Sequence, residues 1–509
     1  MRADAGLVER LKIVASRYTQ SEIARRTGTW VSNVHHYLNG TRVPADFCIA
    51  LVEKLGVSAQ WLLTGEGEPY TADAAPDADQ FAGDVKRLSR SLDSASRLRL
   101  GELVSNKRTR ALAEINDAID AHADAQRRVS AQLRQPLVDL YLSFTAAISE
   151  HDHGKSEALG RAKSHLQSAQ LLQRLTDDPA RRLDVTFMEM EVAIRESRFA
   201  DALVEARRCF LISFSVFGPA APRFIDTAST YASGAMRLGY MREARAVLDA
   251  GLAMARMAGN DPDFSGFADV QRANIAVETG VIEGMHDLAR RGLTRIANRP
   301  LVSRINAAPL VANIGMMAGV TTFEEALKTE PRSVYQLRHL FQWAAWLEDA
   351  GRLRKLLRVR TKDMAGVSSV TSRLYDHWRA VGEFVLRAAW DRPHGLWREY
   401  ETWDKQEVSS GAPEKDAVQR KIRCTQVARL CGETRQAGKL LLESDRLLNA
   451  MPEGMEPLLL DRATHHRNAL VLGNPSKANS KIKQLRDDAR RWFFDMTAAG
   501  YSCFAGLGL

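Results

Sequence analysis

From about residue 136 onward the chain repeats one pattern. Apolar residues recur at helical spacing, no stretch alternates with the period of a strand, and a turn keeps cutting the helices. The turn appears in "IRESRFADAL", "MRLGYMREAR", "VETGVIEGM", "MMAGVTTFEEAL", "LEDAGRLRKLL", "RLCGETRQAGKLL" and "LVLGNPSKA". Aligned this way, the turn residues are Ser197, Gly239, Gly280, Gly319, Gly351, Gly432 and Gly473, in steps of 42, 41, 39, 32, 81 and 41. The step of 81 hides one degenerate unit near "WDRPHGL", and an earlier unit begins at "HDHGKSEAL". A period near forty with no strand signal predicts an all-α solenoid of helix pairs, each pair burying the face its neighbour leaves open.

Small residues mark the helix crossings: Ala232, Ala273, Ala312 and Ala344 seven before the turn, and Ala202, Ala244, Ala437 and Ala478 five after it. The pattern resembles tetratricopeptide repeats with lengthened helices over residues 136–490; HEAT-like repeats are the structural alternative. The resemblance implies an inner groove lined by the residue six before each turn: Glu191, Ser233, Asn274, Asn313, Ala345, Gln426 and Arg467. From this column Ser233, Asn274, Asn313, Gln426 and Arg467 are the expected ligand contacts. The consecutive pair Asn274 and Asn313 offers donor and acceptor together, which suits the backbone of an extended peptide. The alternative is a row of solvated polar side chains.

The first 68 residues carry a different pattern. "YTQSEIARRTG" reads as a short helix with Thr19 as N-cap, Glu22 at the capping-box position, Ile23 and Ala24 inward, and Gly28 at the end. A second short helix runs from Trp30 to Leu38 with Val34 inward, closed by Asn39-Gly40. An amphipathic helix (Leu7 to Arg17) precedes them. Ala45 to Leu55 and a short helix holding Trp61 and Leu62 follow, which makes five helices. "TQSEIARRTG", "NGTRVP" and "LGVSAQWLLTGEG" at these spacings resemble the helix-turn-helix domain of phage-repressor-like (Xre/Cro/CI) transcription regulators. The resemblance implies that Gln20 braces against phosphate and outer bases. It places Val31, Ser32, Asn33 and His36 toward base edges, and Thr41 and Arg42 in a phosphate-contacting loop. The physics agrees: an α-helix fits the major groove, and its polar tips reach base edges.

Between these regions lie a tether rich in Ala, Asp and Pro (69–80) and a helical connector (81–135). Phe81, Val85, Leu88, Leu92 and Ala95 form one heptad stripe. Leu112, Ile115, Ile119, His122, Gln126, Val129 and Leu133 form another. Dimer contact and packing within the chain both remain open for them. The domains expected are therefore 1–68, 69–80, 81–135 and 136–509.

Charge and cysteine content add little. The net charge is +9, but residues 1–70 hold 8 Lys/Arg against 7 Asp/Glu. Five scattered cysteines make neither a zinc ribbon nor a disulfide framework. No signal segment and no membrane-length apolar run is present, so a cytoplasmic, nucleoid-associated protein is expected. No phosphate loop or dinucleotide fingerprint occurs, and adjacent His35 and His36 diverge by about 100° on a helix. No enzyme, metal or cofactor is expected. The architecture resembles peptide-sensing quorum regulators and phage lysis–lysogeny regulators. It implies a homodimer on a palindromic double-stranded DNA operator, with a peptide or protein ligand in the groove and no membrane. The rivals are a constitutive repressor that uses the solenoid only for assembly, and an interaction scaffold in defence or toxin–antitoxin control.

Overall fold

The computed structural model describes residues 5–65, 107–152, 155–259, 266–298, 301–330, 333–360, 369–407, 414–474 and 479–507. The tether (69–80) and the first heptad stripe, Phe81 to Ala95, lie outside them. Among the described residues there are helices and no strand. They divide into two compact units, Met1–Gln135 with Leu175–Asp177, and Pro136–Arg174 with Asp178–Leu509.

The first unit begins with α1 (Ala5–Arg17), α2 (Gln20–Thr27), α3 (Val31–Leu38), α4 (Ala45–Leu55) and α5 (Ala59–Thr64). Short helices need their ends satisfied, and the sequence supplies this. Thr19 Oγ1 accepts the Glu22 N–H at 3.3 Å, and Ser58 Oγ accepts the Trp61 N–H at 3.3 Å. Arg10 Nε donates to the Leu62 carbonyl at 2.8 Å, so α1 caps the end of α5. One core, including Leu11, Val14, Ile23, Val34, Leu51 and Trp61, sits where the five helices meet.

Helix α6 (Lys107–Asp152) belongs to the first unit up to Gln135 and to the second from Pro136. Of the second heptad stripe, Val129 and Leu133 are buried, His122 and Gln126 are half-buried, and Ile119 is exposed.

The second unit is a succession of antiparallel helix pairs. After α7 (Ala158–Gln173) come α8 (Pro179–Arg195) with α9 (Phe199–Phe217), α10 (Pro222–Leu238) with α11 (Met241–Met257), and α12 (Gly266–Glu278) with α13 (Met285–Arg295). Then come α14 (Leu301–Ala318) with α15 (Phe323–Lys328), α16 (Val334–Leu347) with α17 (Ala350–Leu357), and α18 (Ser369–Trp390) with α19 (Leu396–Gln406). The last pairs are α20 (Glu414–Leu430) with α21 (Thr434–Asn449) and α22 (Leu459–Leu472) with α23 (Ser480–Ala498). The first helix of each pair packs on the first helix of the next from α10 through α22. Helices α12, α14 and α16 are buried nearly all round, whereas outer helices such as α13 and α21 bury one stripe. Ala232, Ala273, Ala312, Ala344, Ala202, Ala244 and Ala437 are all buried, as close crossings require; Ala478 lies outside the described residues.

The turn register needs one correction. Left-handed backbone falls at Ser197, Gly239, Gly280, Gly319, Glu348, Arg392 and Gly432. The turn assigned to Gly351 is thus three residues earlier, at Glu348 (φ 56°), and Gly351 lies inside α17. A non-glycine residue can hold this conformation when the structure around it enforces it. Here Glu348 is gripped by Arg429 and lies 3.4 Å from Arg467. The degenerate unit near "WDRPHGL" turns at Arg392.

The later helices return against the inner face of the earlier ones. Helix α16 packs on α22, and the loop before α22 lies on the turn after α10. The Glu456 N–H donates to the Gly239 carbonyl at 2.8 Å, and a Cβ on Gly239 would stand 3.0 Å from the Glu456 carbonyl oxygen. Glycine is needed there for both its φ of +95° and its bareness. Near the end of the described chain, Tyr501 donates its hydroxyl to the Val277 carbonyl at 2.6 Å.

Candidate functional site

In the first unit the candidate surface is α3. Gly28, at φ +69°, turns the chain out of α2, and extended Trp30 starts α3 with no side-chain cap. Val34 is the one fully buried residue of α3, at 1% exposure, and Tyr37 and Leu38 are half-buried. Burying a valine contributes about 1.5–3 kcal/mol, enough to set the rotation of so short a helix. That rotation leaves Val31, Ser32, Asn33, His35 and His36 exposed on the remaining surface. Gln20 is half-buried at the first turn of α2, and Thr41 and Arg42 are exposed just after α3. Asn39 Nδ2 donates to the His35 carbonyl at 2.9 Å and closes the helix. An α-helix with its side chains is about 10–12 Å across, which matches the width of the B-DNA major groove. The His35 and His36 rings stand 6.2 Å apart and 68° inclined, and no metal-binding group of three occurs among the described residues. Sequence reasoning gave Trp30 no role, yet at 80% exposure it is an indole beside the polar tips.

In the second unit the expected groove is interrupted. Gln426 is wholly buried: its Nε2 donates to the Ala345 carbonyl at 2.8 Å and to Glu348 Oε1 at 3.0 Å. Arg467 donates to the Trp346 carbonyl at 2.5 Å. Both cap the end of α16, whose last carbonyls lack partners within the helix. These two residues are consumed by the fold and are not free to meet a ligand. Glu191 is likewise tied to Arg195, which also holds Asp152 at 2.8 Å.

Ser233, Asn274 and Asn313 do come together, at a polar cavity between α10, α12, α14, α16, α18, α20 and α22. One chamber of about 300 Å³ is lined by Ser233, Gln271, Asn274, Arg338, Gln342 and Lys415, among others, and a small recess adds Asn313, Glu278 and Asp461. Ser233 and Asn306, both exposed, mark its mouth. A wider chamber of about 550 Å³ adjoins it past Arg237 and Asp416. Contacts across the inner face interrupt the surface along which an extended peptide would lie: Lys415 Nζ to the Met236 carbonyl at 3.2 Å, and Glu278 Oε2 accepting the Leu459 N–H at 2.7 Å.

The polar groups here differ in how well they are paired. Arg423, fully buried, donates to Asp461 at 3.0 Å and to Gln426 at 2.9 Å, with its guanidinium 4.8 Å from the Trp378 ring centroid. Gln419 completes Asp461 at 2.6 Å. Arg237 pairs with Asp416 at 2.9 Å. Asn313 Oδ1 accepts the Trp343 indole N–H at 2.6 Å. Burial raises the Glu278 carboxyl to about 7 and lowers the Lys415 ammonium to about 8. Burial also lowers the Arg338 guanidinium, and it holds the His339 imidazole neutral, well below its ordinary value.

Gln342, Gln271, Arg338 and Lys415 were missed from the sequence. Gln342 stands six before the true turn at Glu348, so reading "LEDAG" as the left-handed turn would have put it in the inner column in place of Ala345. The other three carry no local signal. No family model and no curated protein matches the chain.

Proposed function

We propose that the protein is a sequence-specific DNA-binding transcription regulator. Its helix-turn-helix unit reads a two-fold operator as a homodimer, and its helical-repeat unit receives the signal. The observation that carries this reading is the exposed polar surface of α3, held at one rotation by Val34 behind a capped α2 and a glycine turn. Asn33 and His36 supply hydrogen-bonding tips for base edges, Val31 an apolar surface for a thymine methyl, and Arg42 with Thr41 a grip on the backbone that sets register. One such unit reads a half-site, and two half-sites about 34 Å apart need two copies.

The test is in-vitro selection of duplex DNA with the full chain, followed by binding measurements. An enriched, inverted-repeat motif is expected. Asn33→Ala and His36→Ala should each weaken binding to it by about 1–3 kcal/mol and relax base choice at one position per half-site. Failure to enrich a motif, or both variants binding it like the parent, overturns the reading. An assembly-only solenoid is less favoured, because packing alone has no use for the unpaired amides at its centre.

A further inference from the structure

We propose that the inner cavity of the repeat unit is a binding site for a compact organic anion that also carries an amide or an equivalent donor–acceptor group. This names the ligand class of the signal-receiving unit. It rests on the regulator reading only for its consequence, not for the site.

Two amides carry the argument. Asn274 on α12 is 5% exposed and Gln342 on α16 is 7% exposed. Both line the same chamber, and neither side chain has a hydrogen-bond partner among the described residues. Gln271 joins them: its Nε2 is held by Ser233 at 2.6 Å, while its Oε1 is buried with no partner. The polar atoms of Asn274 and Gln342 open onto the chamber and meet no protein group, so only what occupies the chamber can pair with them. Two unpaired amides from two helices, with the half-paired Gln271 beside them, converge on one chamber, and a molecule that enters it can pair with them. Asn274 and Gln342 each present both a donor and an acceptor, so the complement is a group with both.

Charge adds the second requirement. The Arg237–Asp416 and Arg423–Asp461 pairs are closed. Arg338 and Lys415 are not: no carboxylate lies within ion-pair distance of either among the described residues. Lys415 Nζ rests on the Met236 carbonyl, and Arg338 Nη2 rests on His339 Nε2 at 3.0 Å with its guanidinium 4.7 Å from the Tyr335 ring centroid, while its Nε has no partner. Glu278 is the remaining acid of the chamber, and its buried carboxyl is raised to about 7. The site thus holds a surplus of cations, which a carboxylate or phosphate would neutralise with charge-assisted hydrogen bonds.

Size and walls set the rest. Tyr335, Leu310, Met236 and Leu458 add apolar surface, which calls for a carbon skeleton and not a bare inorganic ion. About 300 Å³ is the space of a small metabolite, at the lower end of known ligand pockets. A ligand there would touch α12 and α16 on one side and α20 on the other, so it would tie the early helices to the returning ones.

The test uses the full chain and four probes at millimolar concentration: N-acetyl-L-alanine, its uncharged C-terminal amide, acetate and inorganic phosphate. Calorimetric titration and thermal unfolding are the readouts. N-acetyl-L-alanine should bind and raise the unfolding midpoint; its uncharged amide, acetate and phosphate should bind at least about tenfold more weakly. Asn274→Leu and Gln342→Leu should leave the ligand-free midpoint equal or higher and remove the response. The isosteric Gln342→Glu, which places a carboxylate in the chamber that Arg338 and Lys415 line, should also remove it and serves if the leucine variants fold poorly. Equal binding of charged and uncharged probes, binding of none, or parent-like binding by all three variants overturns the site. Operator binding is measured separately. Probe binding by a chain that selects no DNA motif leaves the site standing and sinks the regulator reading; motif selection without probe binding does the reverse.

Discussion

The two units place their polar residues in opposite ways. In the first, Ser32, Asn33, His35 and His36 lie on the outer surface of one short helix and meet water on every side. In the second, Asn274, Gln342, Arg423 and Lys415 come from three helices and are buried at their centre. A surface of the first kind is specified within a dozen residues, because a cap, a turn glycine and one inward valine decide which side chains stay outside. A cavity of the second kind has no local author. It exists because α20 and α22 return against α12 and α16, and its polar groups are costly unless partnered. The contrast leads to different expectations for mutation: little change of stability on the surface of α3, and a loss of stability in the second unit wherever a buried group is stripped of its partner.

The largest expected effect is at the buried ion pair. Arg423→Met leaves Asp461 charged and enclosed, and should cost about 3–5 kcal/mol. Arg423→Met with Asp461→Leu should recover much of it. Urea unfolding followed by tryptophan fluorescence reads this directly, because Trp378 lies against the guanidinium. A single variant costing under about 1 kcal/mol would mean the pair is not holding the cavity wall.

Next comes acid. His465 is buried with Nδ1 3.1 Å from Ser444 Oγ, and His466 stacks on Trp492 with ring centroids 4.7 Å apart. Burial lowers these imidazoles to about 4 and about 3. The unfolded chain therefore binds protons that the folded chain refuses. Stability present above pH 6.5 is lost as pH falls toward 4, by roughly 3 kcal/mol for His465 alone. Glu278, raised to about 7, works with the opposite sign between about 7 and 4.5 and offsets part of the loss. Unfolding free energies at several pH values should show a net decline below pH 6.5. His465→Gln should flatten it, and an unchanged slope would contradict the assignment.

The smallest effect belongs to the first unit. Trp30 begins α3 without capping it, and its indole is exposed. The Asn33 N–H already donates to the Trp30 carbonyl at 2.9 Å, so Trp30→Ser offers its hydroxyl to the Ser32 N–H and should stabilise the unit by about 0.5–1 kcal/mol. Slower amide exchange in α3 of the full chain is the check. If exchange speeds up instead, the indole is packing on something and the contrast between open and enclosed residues weakens.

How far the sequence could be read follows from the same contrast. The all-α class and the forty-residue rhythm were legible because each turn repeats a local device, usually glycine in the left-handed region. The reading slipped where the device changed. At Glu348 the strained turn is held by Arg429 and Arg467, which lie more than eighty residues downstream, so the nearby Gly351 took its place and Gln342 dropped out of the inner column. Gln426 and Arg467 were correctly placed on inner helices, but whether an inner residue meets a ligand or a neighbouring helix end depends on how the superhelix closes.

Periodicity, caps and turn glycines are short-range quantities, written within one or two turns of helix. They were enough to specify the helices, their pairing and the outward residues of α3. The cavity is long-range. It depends on the Glu456 N–H reaching the Gly239 carbonyl, on Lys415 reaching Met236, and on Glu278 reaching the start of α22. Each contact spans more than 170 positions of chain. No window of sequence contains both partners, so only packing could decide which polar side chains would be paired and which would be left waiting.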